Sequence, residues 1–199
     1  MGIVFSDLAV SADGFAAGVN QREESPFGDV DENWLHGWMF HHADENRAEI
    51  DAVLDAGATI MGRNMFGPVR GEWDRDWRGW WGPNPPYHNP VFVLTHYEHD
   101  PIEMEGGTTF HFVTDGIEAA LARARSAAGD RNISIAGGAG TVNQFLEAGL
   151  IDHLRLHITA CVLGAGERVF DGVSMRPLER LSVRAASTVT HITYSPVRE

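Results

Sequence analysis

The stretch "NISIAGGAGTVNQFLEAGLIDHLRLHI" (residues 132–158) reads as strand, glycine turn, helix, strand. Its centre, "AGGAGT", carries the chain out of a buried strand on residues with almost no side chains. At the carboxyl end of a parallel strand, the following helix offers free backbone N–H groups and a partial positive charge. Glycines let a pyrophosphate approach that backbone with no Cβ in the way, and Thr141 adds a hydroxyl. The competing reading is a tight turn in which glycine serves geometry alone. The dinucleotide fingerprint G-x-G-x-x-G does not fit, because Gly138 and Gly140 are followed by Asn143. The turn also comes late, with only about 60 residues left, so the pattern points to a nucleotide site on another kind of sheet.

Working outward, the same design recurs upstream. "ATIMGRNMFG" (58–67) is again strand, glycine, arginine, polar residue and short helix. Arg63 there is suited to grip a phosphate through forked, charge-assisted hydrogen bonds. A third strand end, "VLTH", leaves Thr95 and His96 at the same edge. The remaining pattern gives strands at about 3–10, 90–95, 108–113 and 152–163, and helices at about 32–39, 44–56, 116–129 (capped by Asp115) and 140–149. A C-terminal antiparallel hairpin closes the chain. The expected fold class is α/β: a three-layer αβα arrangement of residues 1–199 as one domain, with a mixed, mostly parallel central sheet. The Trp- and Pro-rich segment at about 67–90 is long for a plain connection and reads as a lid or an interface.

Composition removes several alternatives. The formal charge is −13, and no basic cluster of the kind nucleic-acid binding needs is visible. All 15 basic residues are arginine. Without lysine, neither a Walker A phosphate loop nor a Schiff base to pyridoxal phosphate can be built. No apolar run reaches the roughly 20 residues of a membrane span. "GIVFSDLAV" reads as a strand rather than a signal peptide, and the single Cys161 allows no intrachain disulfide, which fits a cytoplasmic protein. No metal site is expected: His153 and His157 are four apart on a strand, and His41–His42 are adjacent. No G-x-S-x-G elbow is present.

The order "IMGR", "VFVLT", "IAGGAGTVNQFLEAGLIDHLRLHI", "VLGAGERVF", with "VSADGF" near the start, resembles the dihydrofolate reductase-like superfamily. The nearest branch is that of the C-terminal reductase domain of the bifunctional riboflavin-biosynthesis deaminase–reductase. The resemblance spans about residues 3–195. It implies an NADPH-dependent reductase, usually a homodimer, acting on a small molecule. By that similarity Gly62, Arg63 and Asn64 meet the cofactor's phosphates, and Thr95 and His96 lie by the adenine ribose. Gly137, Gly138, Ala139, Gly140, Thr141 and Val142 cradle the pyrophosphate and nicotinamide side, with a cis peptide bond at Gly137–Gly138.

For proton transfer the residues offer two candidates. Asp31 in "DVDENWL" is one, as a buried carboxyl with a raised pKa, although a helix-start carboxylate is the alternative. Asp13 in "SADG" is the other, against a plain Asp-Gly turn. The folate-binding arginine has no counterpart. "GWMFHH" sets Trp38 and Phe40 against substrate or in the core. Trp73, Trp77 and Trp80 suit either stacking on a flat heterocycle or one helical face packed on the core or a dimer partner. The activity implied is hydride transfer to a pterin- or pyrimidine-like heterocycle or a carbonyl. The alternatives are 5-amino-6-(5-phosphoribosylamino)uracil reduction and a nucleotide-binding module without catalysis.

Overall fold

The structure is a computed structural model describing residues 2–197. Strand β1 (Val4–Ser11) runs into a turn and the short β2 (Phe15–Ala17). After a loop come helices α1 (Glu32–Phe40) and α2 (Arg47–Leu54), then β3 (Ala58–Gly62) and the single-turn α3 (Arg63–Phe66). Next are β4 (Pro90–Leu94), the two-residue β5 (Ile102–Glu103), β6 (Thr109–Val113) and α4 (Ile117–Ala128). Then follow β7 (Ile133–Gly137), α5 (Ala139–Glu147), β8 (His153–Thr159), β9 (Glu167–Arg168) and the closing hairpin β10 (Leu178–Ala185) and β11 (Val189–Pro196).

Among the described residues, one nine-stranded sheet has the order β10-β11-β8-β1-β7-β3-β4-β6-β5. The run from β8 to β6 is parallel, and β11, β10 and β5 are antiparallel to their neighbours. This is the dihydrofolate reductase-like, three-layer αβα fold. Its central strands are buried on both faces, so they read as nearly continuous apolar runs, whereas the edge strand β10 is mostly exposed.

Helices α4 and α5 cover one face. Leu121, Val142, Phe145 and Leu146 pack there against Leu8, Ile60, Ile135 and Leu154. Burying a side chain of this size contributes roughly 1.5–3 kcal/mol. On the opposite face, α1 covers β1, while the segment between α3 and β4 covers the outer strands through Trp73, Trp77 and Tyr87 on Phe66, Val91 and Phe110.

Two local expectations change. Residues 67–89 contain no helix. Pro68, Pro83, Pro85 and Pro86 remove donors, and Gly71, Gly79 and Gly82 sit at positive φ, so the three tryptophans pack from irregular backbone. Asp115 does not cap α4: Gly116 holds the cap position at φ 89°, and Asp115 pairs with Arg123 at 3.1 Å.

Candidate functional site: a strand-end edge with open backbone

β7, β3 and β4 are adjacent and parallel, with Met61 opposite Gly137 and Gly62 opposite Leu94. Their carboxyl ends, and the residues that follow, therefore share one edge of the sheet. β7 leaves through Gly137 at φ 125°, a conformation that disfavours any side chain, and the Gly137–Gly138 bond is cis. Gly138 is the N-cap of α5. The N–H groups of Thr141 and Val142 return to the Gly138 carbonyl at 3.0 and 3.1 Å. Those of Ala139 and Gly140 stand earlier in the first turn, where a helix supplies no acceptor. A Cβ built at Gly138 or Gly140 would meet nothing within 4 Å, so bare backbone lies open here. At Gly62 the situation is reversed: a Cβ would overlap Thr141 Oγ1, so glycine lets β3 and α5 close up. The side chains of Ala139 and Val142 enter the core, which leaves only their backbone for the edge.

Arg63 follows directly. Its Nη1 donates to Thr95 Oγ1 at 2.9 Å and its Nη2 to the Gly71 carbonyl at 3.2 Å. The guanidinium lies 3.2 Å from the centroid of Trp73. Burial, and then the charge of Arg70, hold it below the usual guanidinium range. Its Nε is enclosed with no hydrogen-bond partner among the described residues. Thr95 Oγ1 also accepts from Tyr97 N at 3.1 Å. Asn64 and His96 are exposed next to these residues in the chain. Arg63 and Thr95, 32 positions apart in sequence, are thus joined, and Trp73, Arg70 and Tyr97 complete the setting. Sequence reasoning weighed Trp73 only as packing or as a heterocycle platform, and Arg70 and Tyr97 carried no motif to mark them.

The acidic candidates fall elsewhere. Asp31 is the exposed N-cap of α1, accepting from Asn33 N at 2.9 Å. The buried carboxyl expected there is not what the fold builds, because the side chain turns to the helix end. Asp13 ties two loops: Ser11 Oγ (2.6 Å) and Leu163 N (3.1 Å) donate to one oxygen, and Gly164 N (2.7 Å) to the other. The Ser11 hydroxyl and these two backbone donors hold its pKa down to about 2, as a carboxylate rather than a proton donor. Trp38 is 2% exposed and packs on His157 and His191, a core position with no surface to offer a substrate. Phe40 is 47% exposed and faces Trp81 across a centroid distance of 6.4 Å.

Four residues before Phe40, His36 stacks on Phe27 at 4.2 Å, and its Nδ1 is enclosed without a partner among the described residues. Burial, then the charge at His157, lower its pKa to about 4, so it is neutral at physiological pH. Beside α5, a cleft of about 560 Å³ runs past Gly140, Gln144, Glu147, Gly166 and Arg168.

A family model described as the RibD C-terminal domain matches residues 3–192. The chain belongs to the RibD C-terminal domain family. Among curated proteins no match is found. Solved structures share the RibD-type fold at low identity. A putative riboflavin biosynthesis protein from Shewanella sp. PV-4 is 21% identical with a TM-score of 0.62, over 98% of this chain and 99% of that one. A diaminohydroxyphosphoribosylaminopyrimidine deaminase/5-amino-6-(5-phosphoribosylamino)uracil reductase from Thermotoga maritima is 15% identical with a TM-score of 0.60, over 98% of this chain. This chain spans 57% of that protein. Dihydrofolate reductase from Enterococcus faecalis, complexed with NADP(H), is 16% identical with a TM-score of 0.58, over 98% and 96% of the two chains.

Proposed function

We propose that the protein is an NADPH-dependent oxidoreductase that delivers hydride to a small pterin- or pyrimidine-like heterocycle or carbonyl compound. The observation that carries this reading is the strand-end edge: open backbone at Gly138 and Gly140 beside an arginine already aligned by Thr95 and Trp73. The residues suit a dinucleotide phosphate. The Ala139 and Gly140 N–H groups take the pyrophosphate at the positive end of α5. Arg63, Thr95 and His96 take the 2′-phosphate side, with Gly62 and Asn64 at the start of α3.

The bound nicotinamide supplies the hydride, and the chain's own task is to bind, orient and keep water from the reacting atoms. Phe40, exposed opposite Trp81, offers the substrate a ring to lie against. Asp31, an exposed helix cap, is not placed for proton delivery, which leaves the proton to solvent. Asn caps a helix as well as Asp, so Asp31→Asn is expected to leave turnover and cofactor affinity within about twofold. A loss of turnover of about 100-fold or more with cofactor affinity unchanged would return Asp31 to the mechanism.

The family match favours one narrower reading, reduction of 5-amino-6-(5-phosphoribosylamino)uracil. The Thermotoga maritima relative carries that activity in its description. Loss of NADPH absorbance with this compound, with dihydrofolate and with simple carbonyls separates the readings. Turnover of the first alone selects the narrower one. Tight NADPH binding with no turnover of any compound leaves a nucleotide-binding module. A homodimer is part of the reading, because the edge strand β10 leaves Leu181 and Val183 exposed at 46% and 55%. Light scattering at micromolar concentration tests it, with a monomer as the contrary result.

A further inference from the structure

The clearest polar construction outside the strand-end edge is buried between the sheet and α1–α2. Asp7 on β1, His157 on β8 and His191 on β11 stand on three adjacent strands and face the same side. Arg155 Nη2 donates to Asp7 Oδ2 at 2.7 Å, and His157 Nε2 lies 3.0 Å from Asp7 Oδ1. The Nδ1 atoms of His157 and His191 are 2.7 Å apart. His191 Nε2 lies 2.9 Å from Asn46 Oδ1. Both histidines are almost fully buried, at 2% and 6% exposure.

Donor counting fixes the protons. Asn46 Nδ2 faces two carbonyls, of Trp38 (3.1 Å) and His42 (2.9 Å), so that atom is the amide nitrogen and the other is oxygen. The oxygen already accepts from Arg184 Nη2 at 2.8 Å. His191 Nε2 must therefore carry a hydrogen. Asp7, paired with a guanidinium, is a carboxylate and can only accept, so His157 Nε2 also carries one. Two Nδ1 atoms at hydrogen-bond distance need one proton between them. The total is three protons on two rings, which is one positive charge.

We infer that His157 and His191 form a buried imidazole–imidazolium pair sharing one proton, and that this pair is the clasp holding the α1–α2 layer to the sheet. Asn46, fully buried at the start of α2, is the layer's end of the clasp, and the Trp38 ring of α1 lies 4.5 Å and 5.2 Å from the two imidazoles.

The charged groups around the pair suit a single positive charge. β1 contributes Asp7, β8 Arg155 and β10 Arg184, whose guanidinium forks onto Glu49 of α2 at 2.7 Å to each oxygen. Glu45, in the turn between α1 and α2, adds a third carboxylate, whose field reaches His191. From α1 the facing titratable group is His36, neutral because burial and the charge at His157 oppose its protonation. Burial, and then the charge at His157, also lower the pKa of His191 to about 4, so the pair takes no second proton near neutrality. A second proton would set two N–H groups nose to nose at Nδ1.

The inference is independent of the reductase reading. Its test is side-chain ¹⁵N–¹H correlation on the full chain, labelled at histidine, at neutral pH. The expected spectrum shows both Nε2 atoms of His157 and His191 protonated and one proton correlated with both Nδ1 atoms. An unprotonated His157 Nε2 would overturn the shared charge. In Asp7→Asn the amide can accept from Arg155 and donate to His157, so one of the three protons is expected to vanish; retention of all three would contradict the assignment. His191→Phe tests the clasp by hydrogen exchange. Amides of α1 and α2 should exchange at least about tenfold faster while those of α4 and α5 hold. Equal acceleration in both layers, or none, would overturn the clasp. Should His191→Phe not fold, the wild-type spectrum still decides the shared proton.

Discussion

At the ends of β7, β3 and β4, polar groups are left open: bare backbone at Gly138 and Gly140, an unpartnered Nε on Arg63, exposed Asn64 and His96. On β1, β8 and β11 of the same sheet, Asp7, His157 and His191 have both their hydrogen-bonding side-chain atoms engaged, closed under Trp38. Both regions use an arginine and an aromatic ring, with Arg63 held by a hydroxyl and a backbone carbonyl and Arg155 by a carboxylate. Arg63 stacks on Trp73 as Arg155 stacks on Phe5, at 3.2 and 4.2 Å. The difference is access, since Arg155 Nε and Trp38 Nε1 in the closed patch are as unpartnered among the described residues as Arg63 Nε. Backbone N–H groups left open at a sheet edge can be taken by a ligand, while paired side chains closed under a ring fix the position of what they join. The open edge suits a dinucleotide, and the closed patch suits a support for the layer that carries α1.

The largest effect should come from breaking the closed patch. Trp38→Ala removes the lid over both imidazoles and should destabilise the fold by about 3–5 kcal/mol, read from denaturant midpoints, with the cofactor affinity of the folded fraction retained. If Trp38 instead served a substrate, stability would change little and turnover would fall.

Breaking the open edge comes next. Arg63→Ala should weaken NADPH by about 10- to 100-fold through the loss of charge-assisted hydrogen bonds, and NADH much less. Equal losses would remove the 2′-phosphate role.

Acid separates the regions again. His36 and His191 are held to about 4, against 6.5 for an unfolded histidine. Between those values the unfolded chain binds more protons at these two rings, so their contribution to stability is full above pH 6.5 and falls as pH drops toward 4. Urea midpoints across this range should decline, and His36→Phe should flatten part of the slope. A flat profile would contradict the burial of these rings.

The smallest effect is the sharpest discriminator. Gly140→Ala lies in a helix with nothing within 4 Å of the new Cβ, so it should raise stability by roughly 0.5–1 kcal/mol while weakening NADPH. Gain of stability with unchanged affinity would make "AGGAGT" a turn and nothing more.

Much of this molecule was legible in the sequence, and unevenly so. β3 was expected at 58–62 and is found there, because a short apolar run between glycines has one way to be buried. The three strand ends and the cis bond followed from "IMGR", "VLT" and "AGGAGT" by resemblance. In the 67–90 segment Trp73 and Trp77 pack on the core as one reading had it, but no helix forms, because the helical spacing of the tryptophans says nothing of Gly79 between them or of the prolines on either side. β8 was expected to run to 163 and stops at Thr159, where the chain turns to bind Asp13. The Asp7–His157–His191 chain was invisible for a different reason. Its members lie up to 184 positions apart, His157 was weighed only against His153 as a metal pair, and only the strand order brings the three together.

We propose the open edge as a dinucleotide cradle. Titrating the purified protein with NADPH and with NADH, following the quenching of its tryptophans, tests this most directly. Saturable binding, tighter for NADPH than for NADH, is expected, in keeping with Arg63 and Trp73 lying together at the edge. Absence of binding by either nucleotide would contradict it.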